Sequence, residues 1–270
     1  MLKQRIMTAM VLAPLALFGV FGLPLSPFVF LMDAIMLLAA WEWANLAGYQ
    51  GIKARLVYVV LMALAVALCH YFYLHISVFS VLVFAVACWL LAFFWVCRFP
   101  RVSGWSSRFS RGVIGFVVLL PCWFALISMK GAEQGDALIL LLLLLVWGAD
   151  VGAYFAGKRF GRTKLAPKVS PRKTREGLYG GLVACFVVAA AYGLVVDLDA
   201  ARILPLIILA LLTGLISVLG DLFESMLKRH RGIKDSSQLL PGHGGVLDRI
   251  DSITAASPLF VLGMQCWVLV

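Results

Sequence analysis

The residues best suited to chemistry are concentrated in one polar block, residues 225–251, in a chain that is otherwise mostly apolar. The block holds five basic residues, three acids, two histidines and a Pro-Gly-His-Gly-Gly turn at 241–245. Basic side chains are suited to phosphate oxygens, and carboxylates are suited to hard cations. Such a local concentration of polar residues indicates a reaction site rather than a solvated surface.

Carboxylates at the ends of apolar segments form the second group of candidates: Glu42, Asp150, Asp221, Glu224, Asp248 and Asp251. Asp221 and Glu224 are three residues apart and so share a helix face. Asp248 and Asp251, at the start of the last apolar segment, have the same spacing. Acids at one depth, with serine hydroxyls nearby, favour a site for a hard cation such as magnesium. The alternative is that these acids pair with neighbouring lysines and arginines, which is the interpretation we favour for Glu42 and for the outlying Asp33.

A second polar segment, residues 150–177, combines glycines with eight basic residues. Glycines allow close backbone approach, and the basic side chains suit phosphate. Ser170-Pro171 predicts a turn, and Thr174 to Gly177 predicts a helix start whose free N-terminus is a natural anion site. The alternative is a loop that contacts anionic lipid headgroups.

The turn at 241–245 is the third candidate. Its backbone N–H groups can wrap an anion. His243 can contact a phosphate or exchange a proton, and we favour a phosphate or structural contact over catalysis.

Composition identifies the elements that must position these residues. The chain is 63% hydrophobic and 13% charged, whereas soluble domains have about 45–50% apolar and roughly 25% charged residues. Unbroken apolar runs exclude the alternating strands of a membrane barrel. The sequence therefore predicts an all-α, polytopic helical bundle with nine transmembrane helices of about 20 residues each. The predicted spans are 6–25, 28–48, 56–74, 77–97, 112–129, 137–156, 178–196, 203–224 and 252–270.

The distribution of basic residues places the N-terminus in the cytoplasm. In that orientation 21 of the 23 lysines and arginines fall in inner segments, and only Lys130 and Arg202 fall outside. This topology explains the net charge of +10, so we expect the lipid bilayer as a partner and no nucleic acid.

We predict a single integral-membrane domain, 1–270. It has N-terminal spans in 1–130 and catalytic spans in 131–270, with long cytoplasmic loops at 157–177 and 225–251. The six cysteines are scattered in or beside apolar runs, which argues against a disulfide framework or a zinc site.

Together these features predict a pocket at the cytoplasmic boundary, with carboxylates for metal and basic residues for phosphate. A lipid can reach such a pocket sideways while a soluble phosphorylated substrate enters from the cytosol, so chemistry on a lipid phosphate is the natural inference. An ion-coupled transporter is the alternative from another class. Transport favours carboxylates near the midplane and broken helices in both halves, whereas these acids crowd the inner boundary.

Residues 225–251 resemble the full signature of the phosphatidate cytidylyltransferases (CDP-diacylglycerol synthases). The matching positions are Ser225, Lys228, Arg229, Lys234, Asp235, Pro241, His243, Gly244, Gly245, Asp248, Arg249 and Asp251. The upstream sequences S-P-R-K-T-R-E-G (170–177) and G-D-L-F-E-S (220–225) are also similar to the family, so the motifs cover about the last 120 residues. Arg175 departs from the pattern, because the family has an apolar or aromatic residue there.

The resemblance implies that CTP and phosphatidic acid react to give CDP-diacylglycerol and pyrophosphate, with Mg²⁺ as cofactor and a second metal ion left open. The implied catalytic residues are Asp221, Asp248, Lys228, Arg229 and His243. The implied substrate-binding residues are Ser170, Lys173, Ser225, Lys234, Asp235, Gly244, Gly245 and Arg249. The implied metal ligands are the pair Asp221 and Asp248, to which the acid cluster adds Asp251 and Glu224.

We expect a multi-pass protein of the bacterial inner membrane, with homodimer formation left open. A CTP-dependent polyprenol or lipid kinase is the alternative enzyme. It would use a similar pocket but transfer the γ-phosphate.

Overall fold

A computed structural model describes the backbone of residues 2–268 and the side chains of residues 10–11 and 13–266. Within these residues the chain forms nine α-helices, a two-stranded hairpin and a short π-helical segment, Met264–Val268. The helices are α1 Leu2–Phe21, α2 Leu25–Ala47, α3 Ile52–Tyr71, α4 Val78–Arg98, α5 Arg108–Lys130, α6 Gly135–Phe160, α7 Arg175–Val195, α8 Ala200–Arg231 and α9 Leu247–Gly263. The strands are β1 Lys164–Ala166 and β2 Ser170–Thr174.

The predicted all-α, polytopic membrane fold is confirmed. Each predicted span corresponds to one helix, although the last predicted span ends at residue 270, outside the described residues. Seven of the described helices, α2 to α8, are long and apolar enough to cross a membrane. By contrast, α9 has 17 residues and carries charged signature residues in its first turns.

Helix α8 is longer than the predicted span 203–224. It continues to Arg231, so the first part of the predicted loop 225–251 is helical. Basic residues in its last turn stabilise the carbonyl end of the helix, and Gly232 ends it with a left-handed backbone (φ +75°). The signature residues Ser225, Lys228 and Arg229 therefore lie on a rigid helix.

The predicted turn at Ser170-Pro171 is wrong, because both residues lie in β2, which pairs antiparallel with β1. The chain reverses earlier, where Val169 N–H donates to Ala166 O at 3.1 Å. In a two-stranded hairpin each strand has an unpaired edge, which tolerates a proline that lacks an N–H.

The predicted helix start at Thr174 is present. The Thr174 hydroxyl caps α7 by accepting a hydrogen bond from Gly177 N–H at 3.1 Å.

Close packing of α6 against α7 fixes the position of the hairpin that joins them. A Cβ added to Gly152 would lie 2.5 Å from Gly180 O, and one added to Gly181 would lie 2.8 Å from Ala149 O. Small residues of this kind allow helix backbones to approach closely within a membrane.

Two polar groups occupy different levels of the bundle. Toward one end, Asp33 of α2 accepts a hydrogen bond from Trp123 Nε1 (2.7 Å) and pairs with His70 Nε2 (3.0 Å), so the favoured interpretation that it pairs with lysines or arginines is wrong. At the opposite end, α6 and α8 finish and α7 and α9 begin, and the signature residues gather there. This is the end that the positive-inside pattern assigns to the cytoplasm.

Candidate active site

Helix α8 supplies the floor of the site. Asp221, Glu224, Ser225 and Lys228 are three or four residues apart, so they project from one face of the helix. The start of α9 lies across from this face with Asp248 and Asp251, and strand β2 closes the site from the side. Three segments that are distant in sequence thus bring their polar side chains together.

Asp221 is paired with a lysine from the hairpin. Lys173 Nζ lies 2.6 Å from Asp221 Oδ2, and the Ser225 hydroxyl donates to Asp221 Oδ1 at 3.1 Å. The side chains of Asp221 and Lys173 are 29% and 24% exposed, so this pair lies at the mouth of the site.

Asp248 is paired with a lysine of α8 and lies deeper. Lys228 Nζ is 2.7 Å from Asp248 Oδ1, with the two side chains only 10% and 6% exposed. The other oxygen, Oδ2, accepts hydrogen bonds from the backbone N–H groups of Ser236 (2.9 Å) and Gly245 (2.7 Å). The Ser236 hydroxyl, whose single hydrogen is shared with Glu42, lies 2.8 Å from the same oxygen. These groups fix the orientation of the carboxylate, and Oδ1 is the oxygen directed into the site.

Glu224 and Asp251 form the innermost part of the cluster. Both carboxylate oxygens of Glu224 are buried, with Lys228 Nζ 3.4 Å from one of them and the carboxyl group of Asp251 within hydrogen-bond distance. Asp251 also interacts electrostatically with Asp221 and Lys228. Buried carboxylates are stabilised by ion pairs or by coordination of a metal.

Asp150, which the sequence also predicted to join the acids, does so. Located in the second half of α6, it interacts electrostatically with Lys173, Asp221 and Arg249.

The cluster fits a metal ion whose remaining ligands come from substrate. No three His, Cys, Asp or Glu side chains of the described residues converge on a point where they could hold a metal by themselves. Magnesium is usually bound by one or two carboxylates together with substrate phosphates and water. The adjacent buried carboxyl groups of Glu224 and Asp251, and the aspartates that two lysines now neutralise, match that chemistry.

The segment between α8 and α9 carries the glycine-rich turn. Leu240 N–H donates to Gly244 O at 2.8 Å, which closes the turn, and Gly242 and Gly244 are left-handed (φ +76° and +81°). A Cβ at Gly244 would lie 2.7 Å from Asp248 Oδ2. His243 is half-buried, and its Nδ1 accepts or donates no hydrogen bond within the described residues.

The other basic residues fall into two groups. Arg229 Nε donates to Val169 O at 3.1 Å, so this side chain ties α8 to the hairpin. Lys234 and Arg249 are exposed and form no ion pair with a described carboxylate within 4.0 Å.

Of the remaining predicted residues, Ser170 is half-buried at the start of β2. Asp235 is exposed beside the glycine-rich turn, and a Cβ at Gly244 would lie 3.5 Å from its Cβ. Arg175, which departs from the family pattern, is exposed at the first position of α7.

Our favoured interpretation of Glu42, pairing with neighbouring basic residues, is wrong. Glu42 is fully buried and accepts hydrogen bonds from the segment between α8 and α9, for example from Val246 N at 3.0 Å, and from Leu247 N at the start of α9 at 2.7 Å. Ser236, which bonds both Glu42 and Asp248, was not among the sequence candidates. Only the position of Glu42 between two tryptophans in an apolar run could have drawn attention to this contact.

Comparison with known proteins gives full-length matches. The model of the cytidylyltransferase family matches residues 3–267. A protein of Pseudomonas aeruginosa is 48% identical over 262 residues, with 96% of each chain covered. A protein of Haemophilus influenzae is 39% identical over 285 residues, with 96% of this chain and 97% of its own covered. One from Thermotoga maritima is 34% identical over 269 residues, covering 96% and 94%. All three carry the name phosphatidate cytidylyltransferase.

Proposed function

This chain belongs to the cytidylyltransferase family, and we propose that it transfers CMP from CTP to phosphatidate, giving CDP-diacylglycerol and pyrophosphate. The observation that carries the proposal is the pair of aspartate–lysine couples, Asp221 with Lys173 and Asp248 with Lys228, at one end of an apolar helical bundle. Carboxylates and ammonium groups side by side suit a reaction between two phosphates and a cation. The names of the full-length relatives support CTP and phosphatidate as the substrates.

The reaction makes modest demands on acid–base chemistry. An oxygen of the lipid phosphate attacks the α-phosphorus of CTP, a new P–O bond forms, and the bond to the β-phosphate oxygen breaks to release pyrophosphate. The lipid phosphate is already an anion at neutral pH, so no strong general base is needed. Catalysis then consists of positioning and charge neutralisation.

For the cofactor we propose Mg²⁺ held by Asp221 and Asp248, with Glu224 and Asp251 as the acids behind them. When bound, the ion neutralises phosphate charge and helps to align the two reacting phosphates. Asp248 would use Oδ1, because its Oδ2 already accepts hydrogen bonds from the backbone N–H groups of Ser236 and Gly245.

The lysines are the proposed partners of the phosphates. Lys173 and Lys228 now neutralise the two aspartates, and their ammonium groups are within reach of any phosphate that enters between them. Lys234 and Arg249 are exposed and free of ion pairs to described carboxylates within 4.0 Å, which suits binding of the triphosphate. The role proposed for Arg229 is to hold the hairpin against α8, so that Ser170 and Lys173 border the nucleotide site.

The side of the membrane is part of the proposal. The seven helices suited to crossing a membrane make this a multi-pass protein, and bacterial relatives support the inner membrane. The charge pattern would direct the site to the cytoplasm, where CTP is available, and phosphatidate would reach it from the bilayer.

A labelling experiment tests the proposed reaction. Purified protein is incubated with phosphatidate, Mg²⁺ and CTP that is labelled at either the α- or the γ-phosphorus, and the lipid is then extracted. We expect label in the lipid from α-labelled CTP only, together with release of pyrophosphate. Label from γ-labelled CTP, with a matching polyprenol or lipid acceptor, would support a CTP-dependent kinase instead. Absence of lipid label with every acceptor would contradict both enzymes.

A further inference from the structure

A carboxylate from the N-terminal half of the chain binds the signature segment. Glu42 of α2 is fully buried, and four donor groups from the segment that joins α8 to α9 and from the first residue of α9 lie within hydrogen-bond distance of its carboxylate. The donors are Ser236 Oγ (3.0 Å), Ser237 Oγ (2.5 Å), Val246 N (3.0 Å) and Leu247 N (2.7 Å). Hydrogen bonds to an ionised acceptor are about twice as strong as those between neutral groups, so this contact holds the segment firmly to α2.

Two of these donors are the backbone N–H groups at the start of α9. The first N–H groups of a helix have no partner inside the helix, and the residue that precedes α9, Val246, provides no side-chain cap. Glu42 supplies both the acceptor and a negative charge at this helix N-terminus, where negative charge is favourable. An acid from α2 therefore caps the helix that carries Asp248.

Ser236 connects Glu42 to Asp248. Its hydroxyl lies 3.0 Å from Glu42 Oε2 and 2.8 Å from Asp248 Oδ2, and its backbone N–H donates to the same Asp248 oxygen at 2.9 Å. Asn45, one turn further along α2, donates to Ser236 O at 3.1 Å. Gly245 leaves room for this arrangement, because a Cβ there would lie 2.5 Å from Glu42 Oε1.

We infer that Glu42 is a positioning residue for cytidylyl transfer. It touches none of the reacting groups assigned above. It fixes the segment between α8 and α9 and the first turn of α9, so that Asp248 keeps Oδ2 on the donors of Ser236 and Gly245 and presents Oδ1 to the site. This inference rests on the proposed function, since Asp248 matters only if a reaction takes place there.

The test compares Glu42→Gln with Asp33→Asn. Both variants replace a carboxylate of α2 with its amide, and Asp33 lies about 14 Å away along the helix axis. Both carboxylate oxygens of Glu42 act as hydrogen-bond acceptors. In Glu42→Gln an N–H₂ group replaces one of them and faces N–H or O–H donors, so at least one hydrogen bond is lost.

We expect Glu42→Gln to lower kcat, or the apparent affinity for Mg²⁺, by about 10–100-fold, the range seen when residues that orient metal ligands are changed. The Michaelis constant for phosphatidate should stay unchanged, and Asp33→Asn should match the wild type in all three quantities.

A second readout does not depend on turnover. Hydrogen–deuterium exchange of the full-length protein in detergent should be faster in Glu42→Gln for the amides of residues 236–248. Exchange in α6 and α7, which do not contact Glu42, should be unchanged. Even if the wild type failed to use CTP and phosphatidate, this local change would persist, so failure of the proposed function can be told apart from failure of the inference.

Three results would overturn the inference. The first is wild-type kcat, Mg²⁺ dependence and exchange in Glu42→Gln. The second is faster exchange throughout the protein with activity lost only in proportion to unfolding, which would make Glu42 a general stability residue. If Glu42→Gln does not fold, Ser236→Ala provides the test, because it removes only the hydroxyl that lies between Glu42 and Asp248. Ser236→Ala should also lower the apparent affinity for Mg²⁺. A wild-type affinity for Mg²⁺ in Ser236→Ala would be the third contrary result.

Discussion

Replacing either of the two paired aspartates by asparagine should abolish turnover but should affect folding unequally. The proposed chemistry requires a carboxylate at both Asp221 and Asp248. The two residues differ in depth, however, because the Asp248–Lys228 side chains are 6% and 10% exposed and the Asp221–Lys173 side chains are 29% and 24% exposed. Activity and stability should therefore separate.

The magnitude follows from what each substitution leaves behind. Asparagine has almost the same volume as aspartate, so no cavity forms. Removing one partner of a buried ion pair destabilises a protein by about 3–5 kcal/mol, and Asp248→Asn should fall near the lower limit because Lys228 keeps Glu224 at 3.4 Å. The pair at the mouth is partly exposed, so its loss should cost less, close to the value of about 0–1 kcal/mol for exposed ion pairs.

The assay combines two measurements on purified full-length protein. Denaturant titration in mixed micelles gives the free energy of unfolding of the wild type and of both variants, and lipid labelling from α-labelled CTP at saturating Mg²⁺ gives turnover. We expect no turnover in either variant, and we expect Asp248→Asn to be less stable than Asp221→Asn by about 2–3 kcal/mol.

Two outcomes would refute this reasoning. Wild-type-like turnover in either variant would remove that residue from the proposed metal pair. Equal unfolding free energies for the two variants would show that the depth of the Asp248–Lys228 pair does not determine its contribution.

Three further predictions concern topology, packing and metal removal. A reporter fused after Val270 should read as non-cytoplasmic and one inserted near Gly104 as cytoplasmic; a cytoplasmic C-terminus would mean an even number of spans. Gly180→Ala should destabilise the protein, because the new Cβ would lie 2.7 Å from Gly152 O, whereas Gly148→Ala should be tolerated, because its nearest neighbour would be 3.6 Å away; equal thermal stability of the two variants would contradict the packing argument. Chelation with EDTA should stop turnover without lowering the unfolding temperature, because lysines already neutralise the two aspartates; a parallel loss of both would mean that the fold itself depends on metal.

The membrane fold could be predicted well because its signal is local. A long apolar run must form a helix in a bilayer, where backbone groups have no water to bond, and the nine predicted spans accordingly correspond to helices. Helix ends were predicted less accurately. The polar sequence from Ser225 to Arg231 looked like a loop, yet it continues α8, because polar residues at helical spacing extend a helix into the interface as readily as they end it.

The composition of the site was predictable, but its pairings were not. The sequence indicated that acids and basic residues gather at one end of the bundle, since Asp221 and Glu224 share a helix face. It gave no sign that Lys173 would pair with Asp221, because hairpin formation between 164 and 174 decides that contact. The bond between Glu42 and Leu247 joins residues 205 positions apart, and only the packing of α2 against α9 brings them together.

The length of the 32-residue helix α8 also bears on the depth of Asp221 in the membrane. Arg202 and Asp221 bracket its apolar stretch and are about 28 Å apart at 1.5 Å per residue, close to the hydrocarbon thickness of about 30 Å. If Arg202 lies at one membrane interface, this length would place Asp221 near the opposite interface. A bilayer several ångströms thicker or thinner would shift the headgroups relative to that carboxylate. The acyl-chain length of the host membrane would then change how readily a lipid phosphate reaches Asp221, without any change in the protein.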